Sequence, residues 1–215
     1  MRRRLRVLIA DDHPIFRAGV KQLLKDAGID DVGEADQPHQ VVKMAQEREW
    51  DLLLLDLGLP GRGGLDLISD LNAEQPNRPI LVLSMHAEDQ YAIRCLRAGA
   101  AGYLTKESAA ERLLEAIDTV VSGGHYVSDA IKAQLVASIV PGASRQLHDS
   151  LSNREFEVLR LIGSGKTVGE IATLLALSVK TVSGYRARML EKTGLKNNAA
   201  VIKYALQQGL VDGDP

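Results

Sequence analysis

The run Asp51-Leu-Leu-Leu-Leu-Asp-Leu-Gly-Leu-Pro60 decides the fold. Its consecutive leucines lack polar alternation, as expected for a strand covered on both faces, and a sheet covered on both faces is characteristically parallel. Asp56, at the end of the run, precedes residues that break a strand. Comparable strand-length segments lie at Arg6–Ala10, Asp31–Ala35, Ile80–Leu83 and Ala101–Thr105. Helix-length segments separate them, at about 14–27, 38–49, 64–74 and 88–98, with another at 109–121. Pro14 and Pro38 suit first helical turns, and Gly28 and Gly99 suit helix ends. Serial βα units of this kind predict an α/β fold: a doubly wound, five-stranded parallel sheet with helices on both faces.

With 215 residues, 45% hydrophobic and 25% charged, the chain has ordinary globular composition and room for two domains. A single cysteine, Cys95, excludes a disulfide-stapled fold. Met1-Arg-Arg-Arg-Leu-Arg6 resembles the basic start of a signal peptide, but only Val7–Ala10 follow before Asp11 and Asp12. No run approaches the ~18 apolar residues of a membrane span. A soluble, cytoplasmic protein is expected, with no membrane partner. The net charge of −2 conceals an asymmetry: residues 1–125 carry 15 basic and 20 acidic side chains, and residues 126–215 carry 11 and 8. An acidic half followed by a basic half suggests two jobs, although so modest a bias also fits a solvated surface.

After Ser122-Gly-Gly124 the strand pattern ends. An isolated helix over 128–139 and a linker signal at Pro141-Gly-Ala-Ser144 precede helices near 152–163, 167–175, 178–192 and 197–208. Ser178 is a natural N-cap for the third of these, and Val158, Leu161, Ile171, Leu174, Val182 and Leu190 are expected in the core. The division is a first domain over 1–122, a helix-containing linker over 123–147 and an all-α domain over 148–215.

Functional groups in open α/β sheets gather beyond the carboxyl ends of the strands. Here those ends deliver Asp11-Asp12, Asp56, Ser84 and Lys106 to one rim. Crowded carboxylates repel one another unless a cation neutralises them, and Mg²⁺ prefers carboxylate and phosphate oxygen. Lys106 can balance phosphoryl charge, and Ser84 can hydrogen-bond a phosphoryl oxygen. One such residue alone reads as a cap or a solvated charge, as Asp12 would before the helix at Pro14. Together they point to a metal and an incoming phosphoryl group.

Residues 5–121 resemble a response-regulator receiver domain, a flavodoxin-like fold, through Asp11-Asp12, Asp56-Leu-Gly-Leu-Pro60 with Gly64, Ser84 and Tyr103-Leu-Thr-Lys106. The resemblance implies that a partner histidine kinase phosphorylates Asp56. It further implies that Asp11, Asp12, Asp56 and the Gly58 carbonyl hold Mg²⁺, and that Ser84 and Tyr103 form a switch pair. Two departures stand out: Glu107 replaces the proline that often follows the lysine, and Gly58 has no side chain where many receivers carry a polar one. An aspartyl-phosphate-forming phosphatase would need an acid/base carboxylate at the place of Gly58, so an enzyme is not expected.

The span Leu151–Val211 resembles a LuxR-type helix-turn-helix, through Arg154-Glu155, Glu157-Val-Leu159, Glu170-Ile-Ala172, Thr181-Val182 and Lys192-Thr-Gly-Leu195. Both modules together resemble a NarL/FixJ-type response regulator, a transcription regulator that binds double-stranded DNA. Independently, Lys180, Arg186, Arg188 and Lys192 give the helix near 178–192 a basic face suited to a major groove. Lys180, Arg186 and Arg188 are expected mainly on phosphates, with Thr181, Ser183, Gly184 and Ala187 at the groove. Ser183 and Tyr185 depart from the lysine and histidine common in the family. A homodimer is expected, at least when phosphorylated or DNA-bound, because one small helix offers few base contacts. A helical tail acting by protein contact alone is the rival reading.

Overall fold

The computed structural model describes residues 5–61, 63–139 and 146–211. Its contacts divide the chain into two units, between Val136 and Ala137. The linker signal Pro141–Ser144 lies outside the described residues.

The first unit holds β1 (Arg6–Ala10), α1 (Pro14–Asp26), β2 (Asp31–Ala35), α2 (Pro38–Glu47), β3 (Leu52–Asp56), α3 (Gly64–Glu74), β4 (Ile80–Ser84), α4 (Glu88–Ala98), β5 (Gly102–Thr105) and α5 (Lys106–Val121). All strand pairs are parallel, in the order β2-β1-β3-β4-β5. The leucine run is therefore central, and every residue of β3 is buried. Successive side chains of a strand point to opposite faces. Val7, Ile9, Leu52, Leu54, Leu81 and Leu83 meet α1 and α5 through Val20, Leu24, Leu113 and Ile117. Leu8, Leu53, Leu55 and Val82, in the alternate positions, are equally buried. Pro14 and Pro38 open their helices, and Gly99 closes α4 in the left-handed region at φ 106°. Cys95 is buried, and desolvation pushes its thiol pKa upward, which leaves it unreactive.

Most element bounds shift by a residue or two from the sequence reading, and two larger departures have local reasons. Helix α5 begins at Lys106, three residues before 109, because Thr105 accepts the Ser108 amide and caps it. The stretch after Gly124 is not free linker at its start. Tyr126 forms a parallel bridge to Gly102 at the edge of β5, and Val127 and Ile131 are buried. Helix α6 (Asp129–Ile139) follows.

The second unit contains a 3-10 turn (Leu147–Ser150), α7 (Asn153–Gly163), α8 (Val168–Leu174), α9 (Val179–Thr193) and α10 (Asn198–Gln207). Side chains of Ser152, Thr167, Ser178 and Asn197 cap the four helices in turn. Val158, Ile171 and Val182 are fully buried, as expected. Leu161 and Leu190 are only partly buried, and Leu174 is 53% exposed. Neighbouring Leu175 and Met189 take the inward positions instead. Among the described residues no helix is long and apolar enough to cross a membrane.

Candidate functional site

Because the strands are parallel, the ends of β1, β3, β4 and β5 open on one rim, with β3 between β1 and β4. Asp11 follows β1, Asp56 and Ser84 end β3 and β4, and Lys106 follows β5. The Lys106 ammonium lies 2.7 Å from Asp11 Oδ2 and 2.8 Å from Asp56 Oδ2. All three side chains are almost wholly buried. Asp12 is drawn in through His13, whose Nδ1 lies 2.8 Å from Asp12 Oδ1, 3.1 Å from Asp11 Oδ1 and 3.7 Å from Asp56 Oδ2. Ligand atoms of Asp11, Asp12, His13 and Asp56 all fall within 4.8 Å of one another. Gly58 donates its amide to Asp56 Oδ1 at 3.0 Å.

Burial is the strongest influence on Asp56 and pushes its pKa upward, against the lowering effects of Lys106 and the Gly58 amide. Burial opposes the charge on Lys106 too, but its hydrogen bonds to Asp11 and Asp56 outweigh that and raise its pKa. The site therefore holds a fixed ammonium beside a costly buried carboxylate. Such an arrangement favours any ligand that brings cationic charge to the carboxylates or accepts hydrogen bonds from Lys106.

Ser84 and Tyr103, on adjacent strands, are both 1% exposed. His86 joins them. Its amide donates to Ser84 Oγ at 3.1 Å, and its carbonyl accepts the Tyr103 hydroxyl at 2.7 Å. The His86 ring stacks on Tyr91 at 4.9 Å. Sequence reasoning missed both histidines. Nothing in the residue type marks His86, since it acts through its backbone. His13 occupies the N-cap position of α1 without a side-chain cap bond, so Asp12 does not serve as the cap.

In the second unit, α8 and α9 meet through a turn in which Ala176 is left-handed at φ 51°. The inner face of α9 is Val182, Met189 and Thr193. Lys180, Thr181, Ser183, Ala187 and Arg188 are exposed, and Gly184 is partly so. A Cβ at Gly184 would meet only Arg188 Nη1, at 3.7 Å. Three of the basic residues have partners within the unit. Arg186 donates its Nε to Asn198 Oδ1 at 2.7 Å, at the start of α10. Arg188 and Lys192 turn toward buried Glu155, at 3.4 Å and 2.6 Å, and Arg188 also lies over the Tyr185 ring.

The family model for a response regulator receiver domain matches residues 7–118, and that for bacterial regulatory proteins of the luxR family matches residues 149–205. The chain belongs to the response regulators, of the NarL/FixJ type. This family consists of DNA-binding transcription regulators that are not enzymes. The chain is 36% identical to the response regulator GacA of Pseudomonas aeruginosa over 97% of its length and 98% of the relative's. It is 35% identical to the response regulator UvrY of Escherichia coli, covering 98% and 97%. Among solved structures it resembles RcsB of Salmonella enterica serovar Typhimurium bound to promoter rprA with phosphomimetic BeF₃⁻. That likeness has a TM-score of 0.66 and 28% identity, over 94% of this response regulator and 98% of RcsB. A second structure, of two RcsB dimers bound to two parallel DNAs, gives 0.59 and 29%, covering 96% and 99%.

Proposed function

We propose that this response regulator is switched by a partner histidine kinase, which transfers a phosphoryl group to Asp56. In its phosphorylated form it binds double-stranded DNA as a homodimer and regulates transcription in the cytoplasm. The observation that carries the reading is the Asp56 carboxylate, buried at the centre of the sheet rim with Lys106 at 2.8 Å. In the transfer, an Asp56 oxygen attacks phosphorus, the N–P bond of the phosphohistidine breaks, and its electron pair leaves with the imidazole. Lys106 then offsets charge on the phosphoryl oxygens, and the Ser84 hydroxyl donates to one of them. Its Oγ also accepts the His86 amide, and the His86 carbonyl accepts the Tyr103 hydroxyl, so a turn of the Ser84 side chain toward the phosphoryl group bears on Tyr103 through one peptide segment.

The grouped oxygen donors fit a hard divalent cation. Asp11, Asp12, Asp56 and the Gly58 carbonyl would hold Mg²⁺, which when bound supplies positive charge opposite the phosphoryl oxygens. Along α9, Lys180, Arg186 and Arg188 serve mainly phosphates. Thr181, Ser183, Gly184 and Ala187 approach the bases, where short side chains let the helix sit close. The relatives support DNA as partner, since RcsB is seen bound to promoters.

Acetyl phosphate with intact-mass measurement tests the first step. One phosphoryl group should be gained with Mg²⁺ and none with excess chelator or in Asp56→Asn. Gain that survives either change sinks the assignment. Gel shifts with and without phosphodonor test the second, and the absence of a shift in both states would favour action by protein contact alone.

A further inference from the structure

We infer that the segment 124–131 is a strap that carries the state of α4 and β5 to the chain as it leaves the receiver, with Glu88 as its positioning residue. The inference rests on the proposed switching at Asp56.

Two anchors fasten the strap to two different elements. At β5, the Tyr126 amide donates to the Ala101 carbonyl at 3.0 Å, and the Tyr126 carbonyl accepts the Tyr103 amide at 2.9 Å. The approach is so close that a Cβ at Gly102 would lie 2.7 Å from the Tyr126 carbonyl oxygen. Only glycine admits this contact. At α4, the Ser128 amide donates to Glu88 Oε1 at 2.7 Å. Glu88 is the first residue of α4 and stands two residues after His86, the link between Ser84 and Tyr103.

Ser128 also starts the next helix. Its Oγ accepts the Ile131 amide at 3.3 Å and its carbonyl accepts the Lys132 amide at 3.0 Å. The direction of α6 is thus set where the strap is tied. Any movement of the start of α4 relative to β5 cannot preserve both anchors unless the strap moves as well. Packed elements shift between discrete arrangements rather than stretch, so such a movement is transmitted and not absorbed. A strap that merely fastened the linker would lend stability to both states alike. A transmitting strap instead sets the ratio of DNA affinities between them.

The test uses the full chain and a DNA fragment selected from a random library by the phosphorylated wild type. Glu88→Ala removes the acceptor, while Glu88→Gln keeps a carbonyl oxygen in the same place. Both should accept the phosphoryl group to the wild-type extent by intact mass. The ratio of phosphorylated to unphosphorylated affinity should fall about five-fold or more in Glu88→Ala and be retained in Glu88→Gln. Gly102→Ala, which displaces the strap sterically, should act as Glu88→Ala does. In the wild type, amide exchange at Tyr126 and Ser128 should change on phosphorylation. Unchanged exchange there, or a wild-type ratio in Glu88→Ala, overturns the strap alone. A wild-type ratio of one overturns the parent reading and the strap with it.

Discussion

Glu155 shows how a buried charge can be made useful. Burial is the strongest influence on its carboxyl and pushes the pKa up, yet the Lys192 ammonium and the Ser152 amide together prevail and hold it below the ordinary 4.5. A lowered folded pKa means that the ionised group stabilises the fold above the unfolded value, and that this is lost as pH falls through the folded one. The helical unit should therefore weaken as pH drops below about 4.5, and Glu155→Gln should flatten that part of the profile in thermal melts. A second residue, Gly64, is governed by space. A Cβ there would lie 2.7 Å from Leu57 Cα and 2.8 Å from its carbonyl oxygen. Gly64→Ala should destabilise the receiver by about 1–3 kcal/mol in urea unfolding, and a neutral result would show that the α3 start can retreat. At this scale the rim was legible because Asp11, Asp56, Ser84 and Lys106 each fall where a strand must end. His13 and His86 were not, because one acts from a cap position without capping and the other through peptide groups that every residue has.

Helix starts in the second unit follow one device, a side-chain oxygen closing the first turn. Ser178 is its cleanest case, accepting the Thr181 amide at 3.1 Å at the head of α9. Ser178→Ala should cost the helical unit about 1 kcal/mol and leave the receiver transition where it was. Calorimetry resolves the two, and a loss shared by both units would contradict the local account. Caps are short-range chemistry, which explains why most helix bounds could be read directly from residue type. Facing was harder to read. A basic stripe on α9 is a fair inference from composition, but Arg186 turns to Asn198 and Lys192 to Glu155, and those partners are 12 and 37 residues away. The edge pairing of Tyr126 was hidden for the same reason: it needs the neighbouring strand, and no apolar run announces it.

The whole molecule joins an acidic α/β unit to a more basic helical one, and among the described residues only the first gathers carboxylates around a candidate cation site. Anything that binds the folded receiver and not its unfolded chain must stabilise that unit alone. Mg²⁺ at a hundred times its dissociation constant should add about 2.7 kcal/mol to the first transition and nothing to the second. A shift of both transitions would mean that the ion acts elsewhere, and Asp56→Asn should diminish the first shift. The strand order also has a bearing on biosynthesis. On the ribosome β1 is available to Leu52–Leu55 at once, but β4 does not exist until some thirty residues later, a delay of roughly a few seconds. Through that interval the leucine run offers a newborn chain's unpaired, greasy edge to every other newborn chain. Asp51 and Asp56 bracket it with negative charge, the arrangement by which natural sequences deter self-association of nascent strands. Asp56→Asn should then raise the insoluble fraction during rapid synthesis even though the finished sheet is unharmed, and equal solubility would remove this second use of the aspartate.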